Sequence, residues 1–251
     1  MSTPSSSPAG FGLQLVLIPG LMCDRAVWAP VCSGLDIPPS QVYIADHGTS
    51  RCLVDMAHRI LHETHGPLAV AGHSMGGRVA LEMMRLAPHR VQRLALLGTG
   101  HLPRAVGATG DAEATRRYAL LELARNQGMR AMAHEWVQAM VHPDRLRDAS
   151  LIEAIVQMFE RHSADHFEAQ IHALLQRADA SDVLQRINCP VWLVCGEHDT
   201  WAPLAQHQAM ATLLVAPRVH VQADAGHMFP MERPSALAQT LRGWLSESTA
   251  G

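Results

Sequence analysis

The segment Gly72-His73-Ser74-Met75-Gly76-Gly77 follows the apolar run Leu68-Ala69-Val70-Ala71 and precedes a helical pattern. A Gly-x-Ser-x-Gly turn between a strand and a helix holds its serine on a tight bend with the hydroxyl exposed. The flanking glycines keep the crowded backbone free of side-chain clash. A serine hydroxyl is a weak nucleophile until a base takes its proton, and the base needs a carboxylate to orient it. Two later apolar runs supply both. The run 191–195 leads into Gly196-Glu197-His198-Asp199, and the run 218–222 leads into Asp224-Ala225-Gly226-His227. Ser74, Asp199 and His227 thus each follow a strand, in the order nucleophile, acid, base.

Other readings of these residues are blander. Ser74 also fits a capping serine, and Asp199 fits a helix-capping acid before Pro203, with Asp224 as the substitute partner for the histidine. His73 reads as a packed neighbour of the serine and His198 as a loop residue. For the oxyanion that attack on a carbonyl creates, the N–H of Met75 is one expected donor. The N–H of Leu21, in the turn Pro19-Gly20-Leu21-Met22 after the first strand, is the other.

Composition agrees with a histidine base. All twenty Lys+Arg residues are arginine and there are sixteen histidines. Without lysine, a P-loop, a pyridoxal Schiff base and a Ser–Lys dyad are excluded. A net charge of −3 gives no footprint for nucleic acid or an anionic membrane. No apolar run reaches the length of a membrane span. The five cysteines are odd in number with no Cys-x-x-Cys pair, and the polar Ser/Pro-rich start lacks the pattern of a signal peptide. A cytoplasmic protein, monomeric or homodimeric, is the expectation.

The elements that must position these groups alternate. Strands are expected at 13–18, 41–45, 68–72, 93–97, 191–196 and 218–222, and helices at 52–65, 75–86, 204–214 and 234–245. That is an α/β fold with a mostly parallel sheet of about six strands flanked by helices. Between 101 and 186 strand signals vanish and helical stripes take over, with loops at Gly107-Ala108-Thr109-Gly110 and His142-Pro143-Asp144. The expected division is a disordered tail over 1–10, a core of 11–100 and 187–251, and a helical insertion over 101–186 after the fourth strand. His162, His166 and His172 lack the pattern of a zinc site, so no metal is expected. Arg116, Arg117, Arg125 and Arg130 read as a solvated helix face in preference to a site for a substrate carboxylate.

Taken together, the oxyanion turn with Trp28 behind it, Asp46-His47-Gly48-Thr49-Ser50, Gly72–Gly77, Gly196–Asp199 and Gly226-His227 resemble the α/β-hydrolase fold family from Leu13 onward. The likeness is to its small esterase-like group, which includes bacterial carboxylesterases, pimeloyl-acyl-carrier methyl ester esterases and enol-lactone hydrolases. The resemblance implies that the inserted helices cap the active site, that Ser74, Asp199 and His227 are the triad, and that Leu21 and Met75 hold the oxyanion. It implies a carboxylic ester hydrolase acting on a small, largely apolar ester through an acyl-enzyme, with no cofactor. Met22, Trp28 and Met228 are the candidate pocket residues. The sequence departs from the family in having Pro19-Gly20 where many members have His-Gly, and in having too few residues before the first strand for two leading antiparallel strands. A C–C bond hydrolase, a lactonase or a thioesterase fits the same three residues, and a ligand-binding receptor on this fold is the alternative of another class.

Overall fold

The apolar runs form six strands, β1 (Gln14–Ile18), β2 (Val42–Ile44), β3 (Leu68–His73), β4 (Val91–Leu97), β5 (Val191–Gly196) and β6 (Arg218–Gln222), in a computed structural model that describes residues 12–247. The stretch expected to be a disordered tail, 1–10, lies outside the described residues. All pairings are parallel and the strand order is β2-β1-β3-β4-β5-β6. Strands β3 and β5 are buried at every residue, as expected of a parallel sheet covered on both faces. The edge strands differ: β2 has only three residues, which limits pairing at that edge, whereas β6 is largely exposed.

Helix α1 (Ala29–Cys32) follows β1, α2 (Leu53–Glu63) follows β2 and α3 (Met75–Leu86) follows β3. Leu53, Met56, Ala57 and Ile60 recur on one face of α2 and are buried, with α2 packed on α3. At the other end of the chain α9 (Leu204–Ala211), α10 (Phe229–Glu232) and α11 (Pro234–Ser246) complete the layers, with α1 packed on α11. Pro234 opens α11, where its missing N–H costs nothing.

Between β4 and β5 lie α4 (Ala108–Gln127), α5 (Met129–Val137), α6 (Ala149–Glu160), α7 (Ala164–Leu175) and α8 (Ser181–Gln185). One sequence expectation fails here. The glycine-containing stretch 107–110 is not a loop throughout, because α4 already begins at Ala108. Gly110 lies in that first turn so close to Ala105 that an added Cβ would stand 1.8 Å from its carbonyl oxygen. The glycine is therefore needed for close backbone approach, a role its sequence neighbours do not reveal.

The chain passes from β1 outward to β2, then crosses back to β3 on the other side of β1. This reversal opens a crevice at the carboxyl ends of β1 and β3, where open α/β sheets bind ligands. The register sets Ile18 beside Gly72, His73 beside Leu97 and Leu97 beside Val194, so the loops after β1, β3, β4 and β5 emerge side by side.

Candidate active site

Ser74 occupies the single residue between β3 and α3 with φ 54° and ψ −117°, a conformation that non-glycine residues rarely adopt. Its own N–H is tied to Leu97 O at 2.8 Å, and its carbonyl accepts from Thr99 Oγ1 at 2.8 Å. The two glycines of the motif make the bend possible by close approach. A Cβ on Gly72 would lie 2.3 Å from Gly76 O, and one on Gly76 would lie 2.2 Å from Ile18 O. The turn is thus wedged against the end of β1.

His227 and Asp199 meet Ser74 there. Asp199 Oδ2 accepts from His227 Nδ1 at 2.8 Å, which leaves Nε2 as the acceptor for the Ser74 hydroxyl at 2.9 Å. Asp199 Oδ1 accepts the N–H groups of Trp201 and Ala202, each at 2.9 Å. Burial would raise the Asp199 carboxyl, but the His227 charge and hydrogen bond, with the two backbone donors, hold it down at about 2. Asp224, the substitute acid, is exposed and paired with Arg233 at 2.8 Å. His198 stands edge-on to His142 and away from the serine's hydrogen bonds.

His73 is buried, and its Nε2 donates to the His227 carbonyl at 2.9 Å. Burial, aided by nearby His227, pushes its pKa down to about 3. The unfolded chain, with a histidine near 6.5, then binds a proton that the folded chain refuses between about pH 3 and 6.5. Stability is fully present above 6.5 and is lost as pH falls toward 3. In urea unfolding measured from pH 7 to pH 4, His73→Asn is expected to flatten the loss by up to about 1.4 kcal/mol per pH unit. An unchanged slope would show that His73 does not carry it.

The turn after β1 is held from three sides. Gly20 abuts Ser74, with an added Cβ only 3.2 Å from the serine Cβ. His47 Nε2 donates to Pro19 O at 2.9 Å, which fixes the carbonyl of that proline. Gln170, buried on α7, accepts the Met22 N–H at 2.9 Å and donates to Gly48 O at 3.2 Å. The Leu21 N–H donates to no acceptor among the described residues. The Met75 N–H lies in the first turn of α3, where N–H groups lack intrahelical acceptors and attract negative charge.

The His227 loop is clamped in a similar way. Glu232 is buried, and its two oxygens accept from Gly226 N at 3.0 Å and His142 N at 2.7 Å, while Met228 N donates to Met140 O at 2.9 Å. Burial raises the Glu232 carboxyl. Sequence reasoning missed Gln170 and Glu232. Neither sits in a motif, and each bridges segments far apart in the chain.

Ser74 and His227 open into a cavity of about 1330 Å³ walled by the loops after β1 and β4 and by α4, α5 and α7. Leu21, Met75 and Met228 line it, and Trp201 stacks on Trp136 of α5 (5.8 Å) and stands tilted against the His227 ring (4.9 Å). Met22 and Trp28, expected to line the pocket, do not. Both side chains are wholly buried and pack in the core, away from the cavity lining. The arginines expected on one solvated face divide. Arg125 pairs with Glu168 and Arg130 with Glu153 and Glu160 at the surface, whereas Arg116, itself exposed as expected, and the half-buried Arg117 also line the cavity. Among the described residues no group of three or more His, Cys, Asp or Glu is placed to hold a metal ion, all five cysteines are free thiols, and no helix is long and apolar enough to cross a membrane.

A model of the alpha/beta hydrolase family matches residues 6–240. A pimeloyl-[acyl-carrier protein] methyl ester esterase of Nitrosomonas europaea is 27% identical over 223 residues, which span 83% of this chain and 88% of that one. The solved structure of a thermophilic esterase from Thermogutta terrifontis superposes with a TM-score of 0.80 at 26% identity, covering 94% of this chain and 90% of the other. The enol-lactonase from Burkholderia xenovorans superposes with a TM-score of 0.79 at 22% identity over 95% and 93% of the two chains, a likeness of fold. With its parallel sheet and its serine, acid and histidine at the strand ends, the chain belongs to the alpha/beta hydrolase family.

Proposed function

We propose that the protein hydrolyses a carboxylic ester through an acyl-enzyme on Ser74. The observation that carries this reading is the unbroken hydrogen-bond chain from Asp199 through His227 to Ser74, opening on a cavity with N–H groups of Leu21 and Met75 beside it. The relatives named as esterases support the substrate class.

In the first half-reaction His227 Nε2 takes the Ser74 proton as Oγ bonds to the ester carbonyl carbon. The carbonyl oxygen becomes an oxyanion facing the Leu21 and Met75 N–H groups, at the positive end of α3. Asp199 keeps the proton of Nδ1 in place and stabilises the imidazolium. The C–O bond to the alcohol then breaks, and His227 gives its proton to the leaving oxygen. In the second half, water loses a proton to Nε2 and attacks the acyl carbon. The bond to Oγ then breaks as Oγ takes the proton back from Nε2, which releases the acid and restores the serine and the neutral histidine. Trp201 over the imidazole, Trp136 beyond it, and Met228 give the cavity an apolar floor that suits a largely apolar acyl or alcohol group. The helices between β4 and β5, taken as a cap over residues 101–186, supply its roof.

A panel of p-nitrophenyl esters from acetate to decanoate tests the activity. The expected result is saturable turnover with a preferred chain length. Absence of turnover across this panel, and across lactone and thioester analogues, would overturn the reading.

A further inference from the structure

The cavity has one strongly cationic end. Arg78 of α3, Arg116 and Arg117 of α4 and Arg177 beyond α7 all line it. The acid among them is Glu113, whose two oxygens already take Arg117 and Arg177 at 2.8–3.1 Å. The other carboxylate on the wall, Glu135, is exposed on α5.

Arg78 is the unusual member. It is 6% exposed, and its two terminal nitrogens donate to Gly100 O and Ala178 O, each at 2.5 Å. No carboxylate of the described residues pairs with it. Nearby Glu82, bonded to Arg85 at 3.2 Å, and Asp179, turned to Ser181 at 2.6–2.7 Å, favour its charge through space without bonding to it. Burial first, then the charge of Arg177, lowers its pKa to about 10, so it stays protonated at neutral pH. Buried charges are normally neutralised by a partner, since leaving one unpaired in a low-dielectric site is costly. Here a buried guanidinium, with Arg116 unpaired on the same wall, faces a cavity meant for substrate.

Arg78 is also close to Ser74 along the chain and through Gly100 and Thr99. Arg78 is four residues after Ser74, one turn or roughly 6 Å along α3. It is bonded to Gly100, next to the Thr99 that holds the Ser74 carbonyl. A charge seated there lies several bonds from the carbonyl that Ser74 attacks.

We infer that the ester substrate carries a carboxylate, which Arg78 and Arg116 receive at the polar end of the cavity while the apolar walls enclose the chain between the two ends. Guanidinium matches the planar, two-oxygen geometry of a carboxylate. The inference rests on the ester-hydrolase reading above and adds the substrate class. It also adds a substrate contact to Arg116, which is exposed as the sequence led one to expect.

The test compares kcat and KM for monomethyl esters of straight-chain dicarboxylic acids of four to ten carbons with methyl esters of monocarboxylic acids of the same lengths. A second arm compares acetate esters of ω-hydroxy acids with acetates of simple alcohols, and so tells whether the carboxylate sits on the acyl or the alcohol side. At one or two chain lengths the anionic ester is expected to exceed its neutral partner at least about 10-fold in kcat/KM, mainly through KM, with the preference shrinking as salt rises. Arg116→Gln should lower the anionic-to-neutral ratio several-fold, and Arg78→Met should bring it near one. The wild-type ratio and the exposed Arg116 decide the matter even where Arg78→Met does not fold. Ser74-dependent turnover of neutral esters with no anionic preference at any length in either arm would overturn the carboxylate site and leave the esterase reading standing. Turnover of no ester at all would remove both.

Discussion

Ser74→Ala is expected to lower kcat on any ester the protein hydrolyses by roughly 10⁴- to 10⁶-fold while leaving the fold intact. The structural cost is small because alanine shares the serine backbone at φ 54° and the lost hydroxyl bond to His227 is worth about 1 kcal/mol. The catalytic cost is large because the covalent bond to the acyl group has no other donor at that place. The Leu21 and Met75 N–H groups remain, so a residual rate above that of water is expected to survive, with substrate affinity little changed. Steady-state kinetics of the purified variant beside its thermal melt gives both numbers. A variant that melts like the wild type and turns over within tenfold of it would contradict the assignment of the nucleophile.

Asp199→Asn carries the second large effect, about 10⁴-fold in kcat. The Oδ1 position is fixed as an acceptor by the N–H groups of Trp201 and Ala202, so the asparagine oxygen is expected to stay there. Its NH₂ group then faces His227 Nδ1. Two donors cannot share that contact, and the imidazole moves its proton to Nε2, where it can no longer accept from Ser74. The geometry survives and the base is lost. Asp224→Asn is the control, since that acid is exposed and bonded to Arg233; its kcat is expected to match the wild type. Equal losses in the two variants would show that the acid had been misassigned.

The legible parts of this site are those whose physics is local. The Gly72–Gly77 bend declares itself because only glycine tolerates the contacts with Gly76 O and Ile18 O. The parallel strands declare themselves because burial on both faces demands continuous apolar runs such as Val191-Trp192-Leu193-Val194. Chain order then links three strand ends, and the sheet's register brings them together. Residues whose role depends on distant partners stayed hidden. Met22 and Trp28 look like pocket residues beside the oxyanion turn, and only the packing of β1, α1 and the turn shows them as core. Gln170 reaches Met22 across 148 positions and Glu232 reaches His142 across 90, neither with a local signature. Arg116 and Arg125 share a helix and a residue type. Their fates separate because one meets the cavity and the other meets Glu168 of α7. A helix face cannot be divided in this way until its neighbours are placed.

The central claim is that Ser74 is the one activated nucleophile of the cavity. It is met most directly by labelling the native protein with a fluorophosphonate and mapping the adduct by peptide mass spectrometry. A phosphonate reagent bonds to a serine that an adjacent histidine has primed, and its tetrahedral adduct would present an oxygen to the Leu21 and Met75 N–H groups. The expected result is one adduct per chain on the peptide containing Ser74, absent from Ser74→Ala and strongly slowed in Asp199→Asn. An adduct on a different residue, or equal labelling of Ser74→Ala, would contradict the account.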